Sequence, residues 1–310
     1  MAIFSEYFFP SSDGKTLIHV NQWTPPNREN VGVVQIAHGV AEYGARYAPF
    51  AQFLCSHGFV VVANDHLGHG KSVIEDCPMV YFGEENGWQH VVDDMEELRI
   101  RTAKVFPGKP YFLFGHSMGS FLSRTHLIRY PGKLAGCILC GTGHPSSAVV
   151  AGGKLVAGRE IKRLGKKAYS AKADDLAFGA YNKAFAPTRT RFDWVSASEA
   201  NVDAYIADPL CGGDTTLGLF RDMLDGLSII TKQANMDKMD KSLPVYFIAG
   251  DQDPVGSMGK GVEKACACFR KAGLGDVNIK LYHGLRHEIL NEASKQYVYQ
   301  DVLDWLTARV

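Results

Sequence analysis

The chain has 310 residues, with 33 Lys plus Arg balanced in number by 33 Asp plus Glu. An apolar fraction of 46% excludes a disordered chain, and zero net charge excludes the broad basic surface of a bulk nucleic-acid binder. At roughly 150 residues per domain, the length fits two domains or one large α/β domain carrying an insertion.

Residues Met1 to Pro10 lack the basic segment and long apolar run of a secretory signal. Ile3–Phe9 and Thr16–Trp23 flank Ser-Ser-Asp-Gly, a turn signal, and predict an antiparallel hairpin. Val31–Ala37 is an apolar run ending at His38-Gly39. A helix follows, with Tyr47, Phe50, Ala51 and Leu54 at helical spacing and Gly58 as its stop. Phe59–Ala63 reads as the next strand, and Asn86–Phe106 as a long helix ended by Pro107-Gly108. Tyr111–Phe114 is a short buried strand, followed by the tight Gly115–Gly119 segment and a helix to about Tyr130. Leu134–Cys140, Val245–Ala249 and Val277–Tyr282 complete the strands, with helices over Gly261–Lys271 and Glu292–Ala308. Apolar strands alternating with helices predict an α/β fold, a mostly parallel sheet covered on both faces.

Residues 144–243 break this rhythm. The segment lies between two strands expected to be sheet neighbours and is far too long for an ordinary crossover. It predicts a helical cap inserted into a core formed by residues 1–143 and 244–310. The seven cysteines are odd in number, and so large a chain needs no disulfide staples. Cys137 and Cys140, three apart on one strand, would point to opposite faces, which suits neither a metal nor a thiol pair. With no run of 18–20 apolar residues to span a membrane, a cytoplasmic protein is expected.

Gly115-His116-Ser117-Met118-Gly119 matches G-x-S-x-G and follows a strand and opens a helix, the setting in which this motif exposes a nucleophilic serine. A serine hydroxyl needs a base, and the base needs an orienting acid. In this architecture the chain order is Ser, acid, His. Asp251 and Asp253 follow one later strand; His283 and His287 follow the next. Both lie where open α/β sheets bind ligands. The residues alone leave Asp251 and Asp253 even. His66-x-x-His69 lacks a completing carboxylate or cysteine, so no metal is expected.

Taken together, three motifs carry a resemblance. They are His38-Gly39-Val40-Ala41-Glu42-Tyr43 with Arg46-Tyr47, then Asp65-His66-Leu67-Gly68-His69-Gly70-Lys71-Ser72, then the Gly115–Gly119 segment. In this order and spacing the chain resembles the α/β-hydrolase superfamily, within it the monoacylglycerol lipase and lysophospholipase branch, also grouped with serine aminopeptidase-like hydrolases. The resemblance covers about residues 1–143 and 244–310. It implies Ser117 as nucleophile, Asp253 as acid and His287 as base. It also implies an oxyanion hole from the backbone N–H groups of Val40 and Met118. No cofactor is implied.

The expected activity is hydrolysis of a small lipid-like carboxylic ester through an acyl-enzyme. A small-peptide or amide hydrolase, and a low-turnover ligand sensor on the same scaffold, are the alternatives. Phe185, Phe192, Trp194, Tyr205, Leu210, Leu217, Leu219 and Phe220 supply apolar surface in the cap, for an acyl pocket or for packing onto the core. Between Lys154 and Lys172 the cap carries seven Lys and Arg against Glu160 alone. Interleaved apolar residues make this stretch either a solvated cap helix or a segment that transiently meets an anionic membrane or micelle surface.

Overall fold

The computed structural model describes residues 2–26 and 29–310. Its apolar runs form one eight-stranded sheet: β1 (Ile3–Pro10), β2 (Leu17–Thr24), β3 (Gly32–Ala37), β4 (Phe59–Asn64), β5 (Tyr111–His116), β6 (Gly136–Cys140), β7 (Val245–Gly250) and β8 (Val277–Tyr282). The order is β1-β2-β4-β3-β5-β6-β7-β8. The β1–β2 hairpin joins β4 antiparallel, and the six strands from β4 to β8 run parallel. Every residue of β3 to β7 is buried, as expected of a parallel sheet with both faces covered.

One face carries α1 (Ala48–Ser56) and α10 (Lys295–Thr307), packing Phe50, Leu54, Val298, Val302 and Leu306 against Val34, Ile36 and Phe114. The opposite face carries α2 (Gly87–Val105), α3 (Met118–Arg129) and α9 (Lys260–Lys271). Strand alternation puts Cys137 in one core and Cys140 in the other, and all seven cysteines are free.

The chain leaves the sheet after β6 and returns at β7. The excursion contains α4 (Ser147–Leu164), α5 (Ala171–Phe178), α6 (Glu199–Ala207), α7 (Leu217–Ile230) and the short α8 (Gln233–Met236), with 3₁₀ turns at Tyr181–Phe185 and Asp193–Val195. Helix α7 is not an exposed lid element. Leu217, Leu219, Phe220, Leu227 and Ile230 join the same apolar core as α2 and α3. A Cβ at Gly226 would collide with the Trp88 ring of α2, so this glycine permits close helix contact. Among the described residues no helix is long and apolar enough to cross a membrane.

Candidate active site

Strand β5 runs to His116, two residues beyond its expected end, and α3 starts at Met118. Ser117 alone makes the turn between them, with φ 52° and ψ −122°. That conformation is strained for a residue with a Cβ, and such strain persists only where the surroundings over-determine it. Gly119 is part of the constraint: a Cβ there would collide with the Ala37 carbonyl oxygen at the end of β3. Gly115 fits equally tightly against Ser123 and the Gly119 backbone. These contacts hold Ser117 above the C-terminal edge of the sheet.

The loop after β7 carries Asp253, fully buried, and the loop after β8 carries His287, also buried. His287 Nδ1 donates to Asp253 Oδ2 at 2.9 Å, while the Val255 N–H donates to Asp253 Oδ1 at 2.9 Å. Because a carboxylate accepts, the proton sits on Nδ1 and leaves Nε2 with its lone pair. The other acid pairs elsewhere. Asp251 Oδ2 lies 2.9 Å from Nδ1 of His283, whose side chain is 98% exposed. Ser117 and His287 line the same cavity, with no hydrogen bond joining the hydroxyl to the ring. Such contacts often tighten only in a substrate complex.

The His38–Val40 turn runs beside the serine, and a Cβ at Gly39 would stand 3.1 Å from the Ser117 Cβ. Val40 and Met118, the first residue of α3, both border the serine. Glu42 braces this turn. Its Oε1 accepts from Gly39 N at 2.5 Å, Tyr47 Oη at 2.9 Å and His116 Nδ1 at 3.1 Å; its Oε2 accepts from Arg46 at 2.9 Å. Burial alone would push the Glu42 carboxyl up, but the His116 and Arg46 partners outweigh it and hold it well below the usual carboxylate range. Arg46 also grips both oxygens of Glu288, at 2.7 and 3.0 Å, next to His287 in sequence. Glu42 and Arg46 stand inside the sequence motif, yet nothing in their spacing shows that they join the turn to the His287 loop.

Two cavities meet at Ser117, sharing Val40, Phe178 and Trp194. One, about 200 Å³, is mixed and the more polar of the two, with Glu42, Asp174, Asn182, Arg191 and Thr215 set among aromatic and aliphatic groups in its wall. The other, about 280 Å³, is apolar, bounded by Phe121, Leu176, Ala177, Phe220, Met223 and Leu224. Trp194 packs over the His287 ring, with centroids 5.1 Å apart. Of the cap residues named from sequence, Phe192, Trp194 and Tyr205 border the polar cavity and Phe220 the apolar one. Leu217 and Leu219 pack the core, Leu210 is exposed, and Phe185 stacks under Arg286.

Burial holds the imidazoles of His66 and His69 below their ordinary value, His69 at about 3. Among the described residues no group of three or more His, Cys, Asp or Glu is arranged to hold a metal.

The profile of a hydrolase family described as serine aminopeptidase, S33, matches residues 28–294. The chain belongs to this family. Its fold is that of the α/β-hydrolases, and it is a hydrolase. It is 29% identical to the monoacylglycerol lipase of Mycolicibacterium smegmatis, over 99% of this chain and 98% of that one. The human monoglyceride lipase is 25% identical over 96% of this chain and 89% of its own length. A thermostable carboxyl esterase from Bacillus coagulans, solved in complex with glycerol, superposes with a TM-score of 0.92 at 29% identity, covering 100% of this chain and 99% of that one.

Proposed function

We propose that this carboxylic ester hydrolase cleaves monoacyl esters of apolar acids, of the monoacylglycerol or lysophospholipid class, through a Ser117–His287–Asp253 triad. The observation that carries this reading is the pair of cavities meeting at Ser117. An ester joining a long acyl chain to a small polar alcohol has that same division at its scissile bond. The acyl chain lies in the apolar cavity among α3, α5 and α7, and the alcohol in the polar one. The lipase and esterase relatives spanning the whole chain support the same substrate class.

In the first step His287 Nε2 takes the Ser117 proton as Oγ attacks the ester carbonyl carbon. The carbonyl oxygen becomes an oxyanion, received by the Val40 and Met118 N–H groups. Asp253 holds the ring and stabilises its protonated form. Collapse expels the alcohol, which takes the proton from His287 and leaves an acyl-Ser117 ester. Water, deprotonated by His287, then attacks this ester and releases the acid and the free serine. No step calls for a cofactor.

Residues 144–243 form the cap in this reading, with α4 to α6 over the site and α7 seating them on α2 and α3. Seven free thiols accord with a reducing, cytoplasmic setting. A second reading, hydrolysis of small amides, draws on Asp174, a carboxylate in the polar cavity that could receive a substrate amine. Asp174 already faces Arg191 at 3.5 Å, which weakens that reading.

A panel of glycerol esters and matched amino-acyl amides of graded acyl length tests the proposal. Medium and long monoacyl esters should be the best substrates, and Ser117→Ala should abolish their turnover. Hydrolysis surviving in Ser117→Ala would refute the nucleophile. Preference for amino-acyl amides would favour the second reading, and no turnover of any member a sensor.

A further inference from the structure

His116, immediately before Ser117, takes part in none of the steps above. Its ring is buried, and both nitrogens face acceptors. Nδ1 lies 3.1 Å from Glu42 Oε1, and Nε2 lies 3.4 Å from the His287 carbonyl oxygen. A neutral imidazole has one N–H and would leave its other lone pair facing an oxygen.

Charge balance leads to the same conclusion. Glu42 and Glu288 are buried carboxylates, 4% exposed each, and Arg46 is the single guanidinium reaching both. Among the described residues, with a neutral His116 the cluster would bury an uncompensated negative charge, which is costly. With a protonated His116 the four groups sum to zero. The other groups facing the ring do not change this count. Tyr47, whose ring centroid is 6.3 Å away, already donates its hydroxyl to Glu42. The His38 imidazole, behind the Gly39 turn, is held below its ordinary value by burial. The His287 ring stands 4.8 Å away, its Nδ1–H committed to Asp253.

We propose that His116 is an imidazolium in the working enzyme and a positioning residue that clamps the Gly39–Val40 turn and the His287 backbone into one unit beside Ser117. The positioning role rests on the Ser117–His287 reading above. The clamp runs through Glu42, which takes the His116 proton contact on the same oxygen that fixes Gly39 N. Burial opposes the charge, but the Glu42 hydrogen bond and field outweigh it and raise the imidazole above its ordinary value. A fixed positive charge there favours negative charge developing over Ser117.

Nitrogen-15 spectra of histidine-labelled enzyme, with the His116 signals assigned by their loss in His116→Gln, read the charge directly. Both ring nitrogens should keep imidazolium shifts at pH 7.5 in the wild type, and Glu42→Gln should convert the ring to its neutral form. A neutral wild-type ring at that pH overturns the proposal, as does a ring unaffected by Glu42→Gln. These spectra need no substrate, so a wrong substrate class leaves them intact. In ester hydrolysis, His116→Gln should lower kcat roughly ten- to hundredfold with little change in KM. An unchanged kcat, or a change confined to KM, would overturn the positioning role. Where His116→Gln fails to fold, triple-resonance assignment of the wild-type ring identifies its signals and the charge is still decided.

Discussion

Ser117, Asp253 and His287 come from three separate loops at one edge of the sheet, and their neighbours set what each can do. Asp253 has no access to water and accepts from the His287 ring and the Val255 amide. Asp251 accepts from the exposed His283 and from Gly284 N at 2.8 Å, shaping the turn after β8. Asp253→Asn should therefore lower kcat on the order of 10⁴-fold by losing the tautomer-fixing acceptor. Asp251→Asn should leave kcat nearly unchanged and cost only stability. Single-turnover kinetics on both variants, side by side, checks the assignment. Equal losses would remove Asp253 from the proposed triad. Two residues apart with the same side chain, these aspartates are indistinguishable by composition; only the direction each carboxylate takes from the turn separates them.

Among the elements, the β1–β2 hairpin shows how one buried carboxylate fixes a local unit. Asp94 of α2 accepts from Ser11 Oγ at 2.7 Å and Ser12 N at 2.6 Å, pinning the hairpin turn to the helix. Burial raises its carboxyl from 3.8 to about 6. An acid whose folded value exceeds its unfolded one adds stability while protonated. This contribution is present in full below about pH 4 and is lost as pH rises through 6. Asp94→Asn keeps an acceptor for Ser12 and offers a donor to Ser11. Above pH 6.5 the variant should be more stable than wild type by roughly 1–3 kcal/mol, and at pH 4 the gain should vanish. Urea unfolding at the two pH values measures it. A gain of equal size at pH 4 would point to packing instead of charge. The hairpin itself was legible from Ser-Ser-Asp-Gly between two apolar runs, but its docking to a helix some 80 residues later was not, since hydrogen-bond partners of that separation leave no local pattern.

Viewed as one molecule, the protein forms its apolar cavity between a sheet-covering helix and the 144–243 excursion, where the proposed function puts the acyl chain. The apolar cavity has walls from α3 in the core and from α5 and α7 in the inserted segment. Ala177→Trp should fill part of it, cutting kcat/KM for long-chain esters at least tenfold while sparing short ones. A uniform loss across chain lengths would place the acyl chain elsewhere. Under the proposed function the rim of this cavity is where lipid would approach. Val149 and Leu176 line it and are 65% and 54% exposed. The basic stretch beside it is partly committed: Lys154 pairs with Asp225 at 2.7 Å, Arg163 with Glu160 at 2.6 Å, and Lys166 and Lys167 bond to backbone carbonyls. Arg159, Lys162 and Lys172 form no ion pair among the described residues. If this face meets anionic surfaces, flotation with phosphatidylglycerol vesicles should exceed that with neutral vesicles and fall with added salt. Equal, salt-independent binding would leave the stretch as a solvated helix face.

The sequence by itself determined the sheet, because buried parallel strands require continuous apolar runs and the chain has them in order. It also determined the elbow: glycines at 115 and 119 are the residues that tolerate the contacts packed against them. The residues alone leave Asp251 and Asp253 even and only the family resemblance points to Asp253; tertiary structure decided which aspartate meets His287, and how α7 packs into the core beside α2 and α3. It also decided the closed group of Glu42, Arg46, His116 and Glu288. These are relations between distant segments, set by where loops converge at the sheet edge and by the need to balance charge once water is excluded. Even the zero net charge of the whole chain has its counterpart there, in three buried groups and a half-buried arginine whose neutrality no residue count could reveal.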